Sequence, residues 1–397
     1  MYLQKQISDG IFYVGVNDRT TDLFEGLWEL PQGVSYNSYL IIDEKIVLID
    51  TVDAAFSNVF IDKLDECLQG RTIDYLVINH MEPDHSASIK AVKNRWPNIK
   101  IVGNSKTFTM LNGYFGINEN LVEVKEGSEI CIGKRCLQFI MTPMVHWIET
   151  MMTYDKTEGI LFSGDAFGCF GALNGAVLDC DMDTEMYFPE MERYYAGIVG
   201  KYGSPVQKAI EKLSNKQINM ICSTHGPVWK QHVTKVIDCY NTLSLYKAKN
   251  SCVIIYGSMH GNTAKMAETI ADSMAATGLK HIVMHDLSRT APSELLADIF
   301  RCKGLILGCP TYSNELFPPM SALLDKIKNR EIKHRYYACF GSCSWAGTAK
   351  KKLEEFGEQM QFDSVYPAIE EKHAMKEENF EKFVEMGRAM ATKLLAD

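Results

Sequence analysis

Residues 79–89 read INHMEPDHSAS and place His80, Glu82, Asp84 and His85 within six positions, directly after the apolar run IDYLVI. Imidazole nitrogens and carboxylate oxygens are the side-chain donors that hold divalent and trivalent metals. Three more donors stand in matching places: His146 ends LQFIMTPMVH, Asp165 follows GILFSG, and His225 follows INMICST. The chain has ten histidines, and four of them close apolar strands in this way, which a set of satisfied core or surface rings would not do. Carboxylates crowded without a cation repel one another and are pushed toward protonation, a penalty that a bound ion removes. The pattern excludes a merely solvated turn and leaves two chemistries, a hydrolytic zinc site and a metal site that moves electrons.

Such donors meet only if their strands are neighbours in one sheet whose ends share a rim. The sequence supplies the strands. YNSYLIIDEKIVLIDTV reads as a hairpin turning at Asp43-Glu44-Lys45. Strands then alternate with helical stretches such as SIKAVKNRWP, closed by Pro97, with the helix after the first motif expected to begin near Ala87. From residue 251 the grammar becomes β-loop-α, the mark of a doubly wound parallel sheet. Phe380, Phe383, Gly387, Met390 and Leu394 fall on one face of a closing helix. The seam is expected near residues 246–251, giving domains 1–249 and 250–397.

The second half carries its own site. YGSMHGNT follows SCVII and opens the helix AKMAETIADSM, so Ser258, Met259, His260, Gly261, Asn262 and Thr263 form a loop at a helix N-terminus. Hydroxyls and successive backbone N–H groups there suit a phosphate monoester. The loop has neither a G-K-[ST] ending nor G-x-G-x-x-G, which argues against ATP and NAD. Two further loops follow the next strands: CPTYSNE, with Pro310, Thr311, Tyr312 and Asn314, and GSCSWAGT, with Gly341, Ser342, Cys343, Trp345, Ala346 and Gly347. Doubly wound sheets bind ligands at these strand ends.

At 397 residues, 46% hydrophobic and 23% charged, the chain has the composition of a two- or three-domain globular protein. A net charge of −9 with no basic tract argues against nucleic acid or an anionic membrane as partner. No run is long enough to span a bilayer and no secretory signal is visible, so the expected location is the cytoplasm. The twelve cysteines form no C-x-x-C pair and read as free thiols in a reducing compartment.

The combination H-x-E-x-D-H, a distant His, an Asp and a final His resembles the metallo-β-lactamase superfamily. Its zinc hydrolases mostly carry a histidine where this chain has Glu82. That replacement, joined to a flavodoxin-like half, resembles the flavodiiron proteins, also called A-type flavoproteins. The resemblance implies an α/β chain: an N-terminal metallo-β-lactamase-like αββα sandwich and a C-terminal flavodoxin-like doubly wound parallel sheet. It implies two iron ions, with His80, Glu82 and His146 on one, Asp84, His85 and His225 on the other, and Asp165 bridging. A carboxylate in place of an imidazole adds a hard donor that favours iron or manganese over zinc. Tyr195 is a candidate donor behind the ligands, and Glu25 lies where some members carry a histidine. The three loops of the second half are similar to those that hold FMN in flavodoxins, except that His260 replaces a common Ser or Thr. The implied activity is reduction of O2 to water, of NO to N2O, or both. Electrons would come from an external carrier such as rubredoxin, in a head-to-tail homodimer or a tetramer built from it. The alternative is a zinc hydrolase fused to a flavodoxin-like domain.

Overall fold

The computed structural model describes residues 1–397. They form two compact units, Met1–Tyr195 with Ser204–Asn241, and Ala196–Gly203 with Thr242–Asp397.

The first unit is a sandwich of two sheets. One sheet runs in the order Lys5–Ser8, Ile11–Tyr13, Tyr39–Ile42, Ile46–Ile49, Tyr75–Val77, Lys100–Gly103, Leu121–Glu123. The expected hairpin is its centre, with Tyr39 opposite Ile49 and Ile42 opposite Ile46. From Ile46–Ile49 onward the strands are parallel. The second sheet runs Glu129–Cys131, Cys136–Met141, Met151–Asp155, Ile160–Gly164, Met220–Ser223, with only the last pair parallel. Every residue of Met151–Asp155 and Ile160–Gly164 is buried, as central strands covered on both faces must be. The layers meet through the Tyr39 and Phe162 rings, 5.4 Å apart, and through Thr153 Oγ1 donating to Asn79 Oδ1 at 2.8 Å. The first sheet positions His80 to His85, and the second positions Asp165 and His225. The donors therefore come from two facing sheets, not from neighbours in one. The expectation of free thiols fails at one pair, since Cys131 and Cys136 sit opposite each other in the first hairpin of the second sheet and are disulfide-bonded.

The second unit has a parallel sheet in the order Ile282–Asp286, Lys249–Tyr256, Cys302–Tyr312, Tyr336–Cys343, Asp363–Ser364, with Ile369–Lys372 also beside Tyr336–Cys343. This doubly wound order has the helices Asn262–Ala276 and Glu377–Leu395 packed together on one face. Phe383, Met390 and Leu394 are buried there, but Phe380 is 46% exposed and leaves the expected stripe. Gly387 is required at this crossing, since a Cβ would lie 2.4 Å from the Ile270 carbonyl oxygen. Arg335, 1% exposed, holds the carbonyls of Ile299, Phe300 and Tyr246 at 2.8–3.1 Å. No helix is long and apolar enough to cross a membrane.

Candidate metal centre and flavin rim

The loop that follows Tyr75–Val77 is pinned from below by the strand beside it. Asp50, at the end of Ile46–Ile49, accepts from Asn79 N at 2.7 Å and from Asn79 Nδ2 at 3.1 Å. Thr51 donates through its N–H and its hydroxyl to the His85 carbonyl, both at 2.9 Å. Burial pushes the Asp50 carboxyl up to about 6, against the pull of His85. The first helical turn begins at Pro83, not near Ala87, and spans Pro83–Ser86 before the helix Ile89–Arg95. Proline at the first helical position fixes φ where no N–H is needed, and the early turn brings Asp84 and His85 back toward His80.

The structure brings all seven sequence candidates together. Asp165 divides its carboxylate between two groups. Its Oδ2 lies 3.1 Å from His146 Nε2 and 3.6 Å from His80 Nε2, while its Oδ1 lies 3.1 Å from His85 Nε2 and 3.7 Å from His225 Nε2. Glu82 Oε2 joins the first group, 3.1 Å from His146 and 3.4 Å from His80. Asp84 joins the second, 3.4 Å from His85 and 3.2 Å from His225. His80 Nε2, His85 Nε2, His225 Nε2 and both Asp84 oxygens are buried without a hydrogen-bond partner. Orphaned buried polar atoms of this kind are costly, and here they point at one another. Two sets of nitrogen and oxygen donors sharing one carboxylate fit a pair of metal ions.

Without a cation the same atoms must hold protons. Burial opposes charge on His146, yet hydrogen bonds that it donates to Asp165 and Glu82 hold it at about 10. His85 is likewise held well above the ordinary imidazole value by Asp84 and Asp165 in spite of its burial. Against its own burial, Asp165 is driven well below the carboxylate range by His85 and His80. The pocket is thus a store of opposed charge that a metal pair would replace.

Residues not singled out by sequence complete the site. Glu149 Oε1 lies 2.6 Å from His80 Nδ1, and the Ser35 carbonyl lies 2.8 Å from His225 Nδ1. Tyr194, and not Tyr195, packs on His225, with ring centres 5.5 Å apart and its hydroxyl buried without a partner. Tyr195 instead meets Tyr240. Phe24 and Phe170 extend the aromatic wall, and Trp147 covers His80 at 5.1 Å. Glu25 accepts from Trp28 Nε1 at 3.1 Å, and partial desolvation together with the Glu82 charge pushes its carboxyl up to about 7. Asp50 had a usable signal, since IVLID ends in an acid as the ligand strands do. Glu149 and Tyr194 had none, because nothing in local sequence says which of two adjacent side chains turns inward.

In the second unit the three loops gather at the strand ends. Gly261, at φ +88°, precedes the helix Asn262–Ala276, which has no side-chain cap, so its first N–H groups are free to meet an anion. Ser258 Oγ accepts from Gly261 N at 3.1 Å, and Thr263 Oγ1 pairs with Ser342 Oγ at 3.0 Å. Met259 and His260 are exposed on the same loop. Thr311 Oγ1 accepts from Thr348 N and Ala349 N at 3.0 and 3.1 Å, tying the second loop to the third. Ser313 and Asn314 both have positive φ and close a two-residue turn between Tyr312 and Glu315. Tyr312 is 45% and Trp345 82% exposed, with Ala346 and Gly347 beside Trp345 also open and Cys343 half-buried. Pro310 and Gly341 lie at the ends of the two central strands. Uncapped N–H groups, paired hydroxyls and unburied aromatic rings are what a phosphate-bearing planar ring needs.

Comparison with known proteins agrees with both halves. Residues 34–226 match the ODP family beta lactamase model, and residues 254–383 match the flavodoxin model. A protein from Moorella thermoacetica called nitric oxide reductase is 30% identical over 393 residues, covering 98% of each chain. Among solved structures, rubredoxin oxygen:oxidoreductase from Desulfovibrio gigas superposes with a TM-score of 0.95 at 29% identity, covering 99% of each chain. The flavodiiron protein of Giardia intestinalis gives a TM-score of 0.95 at 26% identity, covering 100% of this chain and 98% of that one.

Proposed function

Because this chain belongs to the flavodiiron proteins, we propose that it is an oxidoreductase that reduces O2 to water, NO to N2O, or both. Electrons reach its di-iron centre through FMN from an external carrier of the rubredoxin kind. The observation that carries this reading is the Asp165 carboxylate shared between two donor groups, each with its own second carboxylate, Glu82 or Asp84. We assign His80, Glu82 and His146 to one iron, Asp84, His85 and His225 to the other, and Asp165 to both. When bound, the iron pair supplies a redox-active seat for a small molecule and FMN a two-electron store that refills it. Reduction of O2 takes four electrons and coupling of two NO takes two, and both fit that inventory.

The chain's own residues set the conditions. Three anionic carboxylates per pair favour iron in its higher oxidation state over zinc, so the zinc hydrolase alternative is not favoured. The Phe24, Phe170 and Tyr194 rings and Trp147 wall the donors from bulk water. Glu25 stands beside Glu82 as an additional acid near the site. In the second unit, Ser258, Thr263 and the helix N-terminus would hold the phosphate, and Tyr312 and Trp345 would flank the ring.

We place electron transfer between subunits of a head-to-tail homodimer, in the cytoplasm. Exposed Leu23, Leu27 and Ile148 on the first unit, and Met259, Tyr312 and Trp345 on the second, are apolar surface available for such pairing. A strict monomer with full activity by light scattering overturns the dimer. The function is tested by anaerobic reduction followed by separate additions of O2 and NO. Consumption of either gas, with two irons and one FMN per chain, is expected; two zincs with hydrolytic activity and no gas consumption would sink the reading.

A further inference from the structure

The histidines of the metal centre are not backed alike. His225 Nδ1 faces a neutral acceptor, the Ser35 carbonyl. His85 Nδ1 is buried with no partner at all. His80 Nδ1 alone faces a carboxylate, Glu149 Oε1 at 2.6 Å, and that oxygen also accepts from Met81 N at 2.9 Å. Glu149 is 1% exposed, and its second oxygen, Oε2, is buried without a partner. It is held in place by its own backbone, whose carbonyl accepts from Asn104 Nδ2 at 2.6 Å. Asn104 in turn caps the helix Ser105–Phe115 through Lys106 N and Thr107 N. Glu149 also lies three residues beyond His146, so one side chain ties the loop carrying His80 to the loop carrying His146.

We propose that Glu149 is the positioning residue of the His80–Glu82–His146 half and makes that half the tighter of two unequal metal sites. The inference rests on the di-metal reading above. A carboxylate accepting from Nδ1 fixes the tautomer that leaves Nε2 as the free donor, locks the ring plane, and raises the basicity of Nε2. A carbonyl does this less strongly, and an unbacked ring not at all. His80 is therefore the most strongly backed ring of the site, and its half is favoured on that account, although both halves share Asp165 and each owns one further carboxylate. No bound ion is needed to set this inequality, because the Glu149–His80–Met81 arrangement already exists among the protein's own atoms.

The test is titration of full-length, metal-stripped, FMN-loaded protein with Co2+, read by ligand-field absorption and calorimetry. Wild type is expected to bind two ions in two resolved steps. Glu149→Gln keeps the acceptor oxygen and the shape but loses the charge, and should weaken the tighter step by about tenfold. Glu149→Ala should weaken it by roughly 10–100-fold, with the other step within about twofold of wild type. Imidazole nitrogen shifts in the stripped protein, recorded at a pH high enough to leave the ring neutral, supply a second readout: the His80 Nδ1–H tautomer persists in the Gln variant and is lost in the Ala variant. Two equal steps in wild type, or equal weakening of both steps in Glu149→Gln, or no weakening in it, would overturn the proposal while leaving the di-metal reading intact. Failure of wild type to bind Co2+ would instead overturn both.

Discussion

At the scale of single residues, the site trades protons for metal, and that trade has a pH window. In the metal-free protein His146 is held at about 10 by Asp165 and Glu82 against its burial, above the ~6.5 of an unperturbed imidazole. Its protonated form therefore contributes stability that is complete below pH ~6.5 and lost as pH rises through about 10. A metal ion must displace that proton, so binding releases protons and apparent affinity should climb with pH across the same window. Competition with a coloured chelator between pH 6.5 and 9.5 should show affinity rising by up to about tenfold per unit for each proton displaced. A flat profile would mean that the ring is already neutral in the empty site. The seven residues that the fold gathers could be picked out in the sequence because His80, His146, Asp165 and His225 follow apolar runs and Glu82, Asp84 and His85 crowd behind the first of them. Glu149 could not, because its role comes from a fold that sets residue 149 against residue 80, and Tyr194 could not, because adjacent positions on a helix differ only in the direction they face.

Elements deliver these residues, and the flavin rim shows how few bonds that takes. Thr311, near the end of Cys302–Tyr312, accepts from Thr348 N and from Ala349 N, the first N–H of the helix Ala349–Gln359, the task a capping side chain performs for orphaned helix donors. Thr311→Val keeps the shape and removes the acceptor. It should cost about 1 kcal/mol, as loss of a cap does, and should raise the FMN dissociation constant by freeing the loop that carries Trp345. Denaturant unfolding and flavin fluorescence titration measure the two effects, and unchanged values in both would show that the bridge is incidental. Strand and helix positions were readable from period and punctuation, including the Asp43–Lys45 turn. The start of the helix at Pro83 was missed because the acidic and histidine-rich stretch looks like loop when only hydrophobic period is followed. The placement of ligand strands in two sheets was missed as well, since periodicity marks a strand but does not say which partners it takes.

Over the whole molecule, two compact units carry two separate ligand sites, so a single unfolding transition is not expected. Each ligand binds only the native form of its own unit and should stabilise that unit by mass action. Removing FMN from the holoprotein should lower the melting of the flavin-binding unit and leave the other nearly unmoved; chelating the metal should do the reverse. Differential scanning calorimetry resolves the two, and a single transition that shifts equally under both treatments would show the units to melt as one. The two fold types, a sandwich and a doubly wound sheet, were readable from the change in grammar along the chain. The return of Ala196–Gly203 to the second unit was not: it depends on Arg330 donating to the carbonyls of Ala196 and Gly197 at 2.9 and 2.8 Å, contacts that span more than a hundred residues of chain.

The drawing of donors from two facing layers also fixes when the pocket can exist during biosynthesis. The chain must grow from His80 to His225, which at roughly 5–20 residues per second takes on the order of ten seconds. Until Met220–Ser223 and His225 are made, the second sheet lacks its last strand and the earlier donors lack the ring that completes the second group. Choice of metal therefore belongs to the finished sandwich, and a nascent chain truncated before Met220–Ser223 should purify without stoichiometric iron however much is supplied.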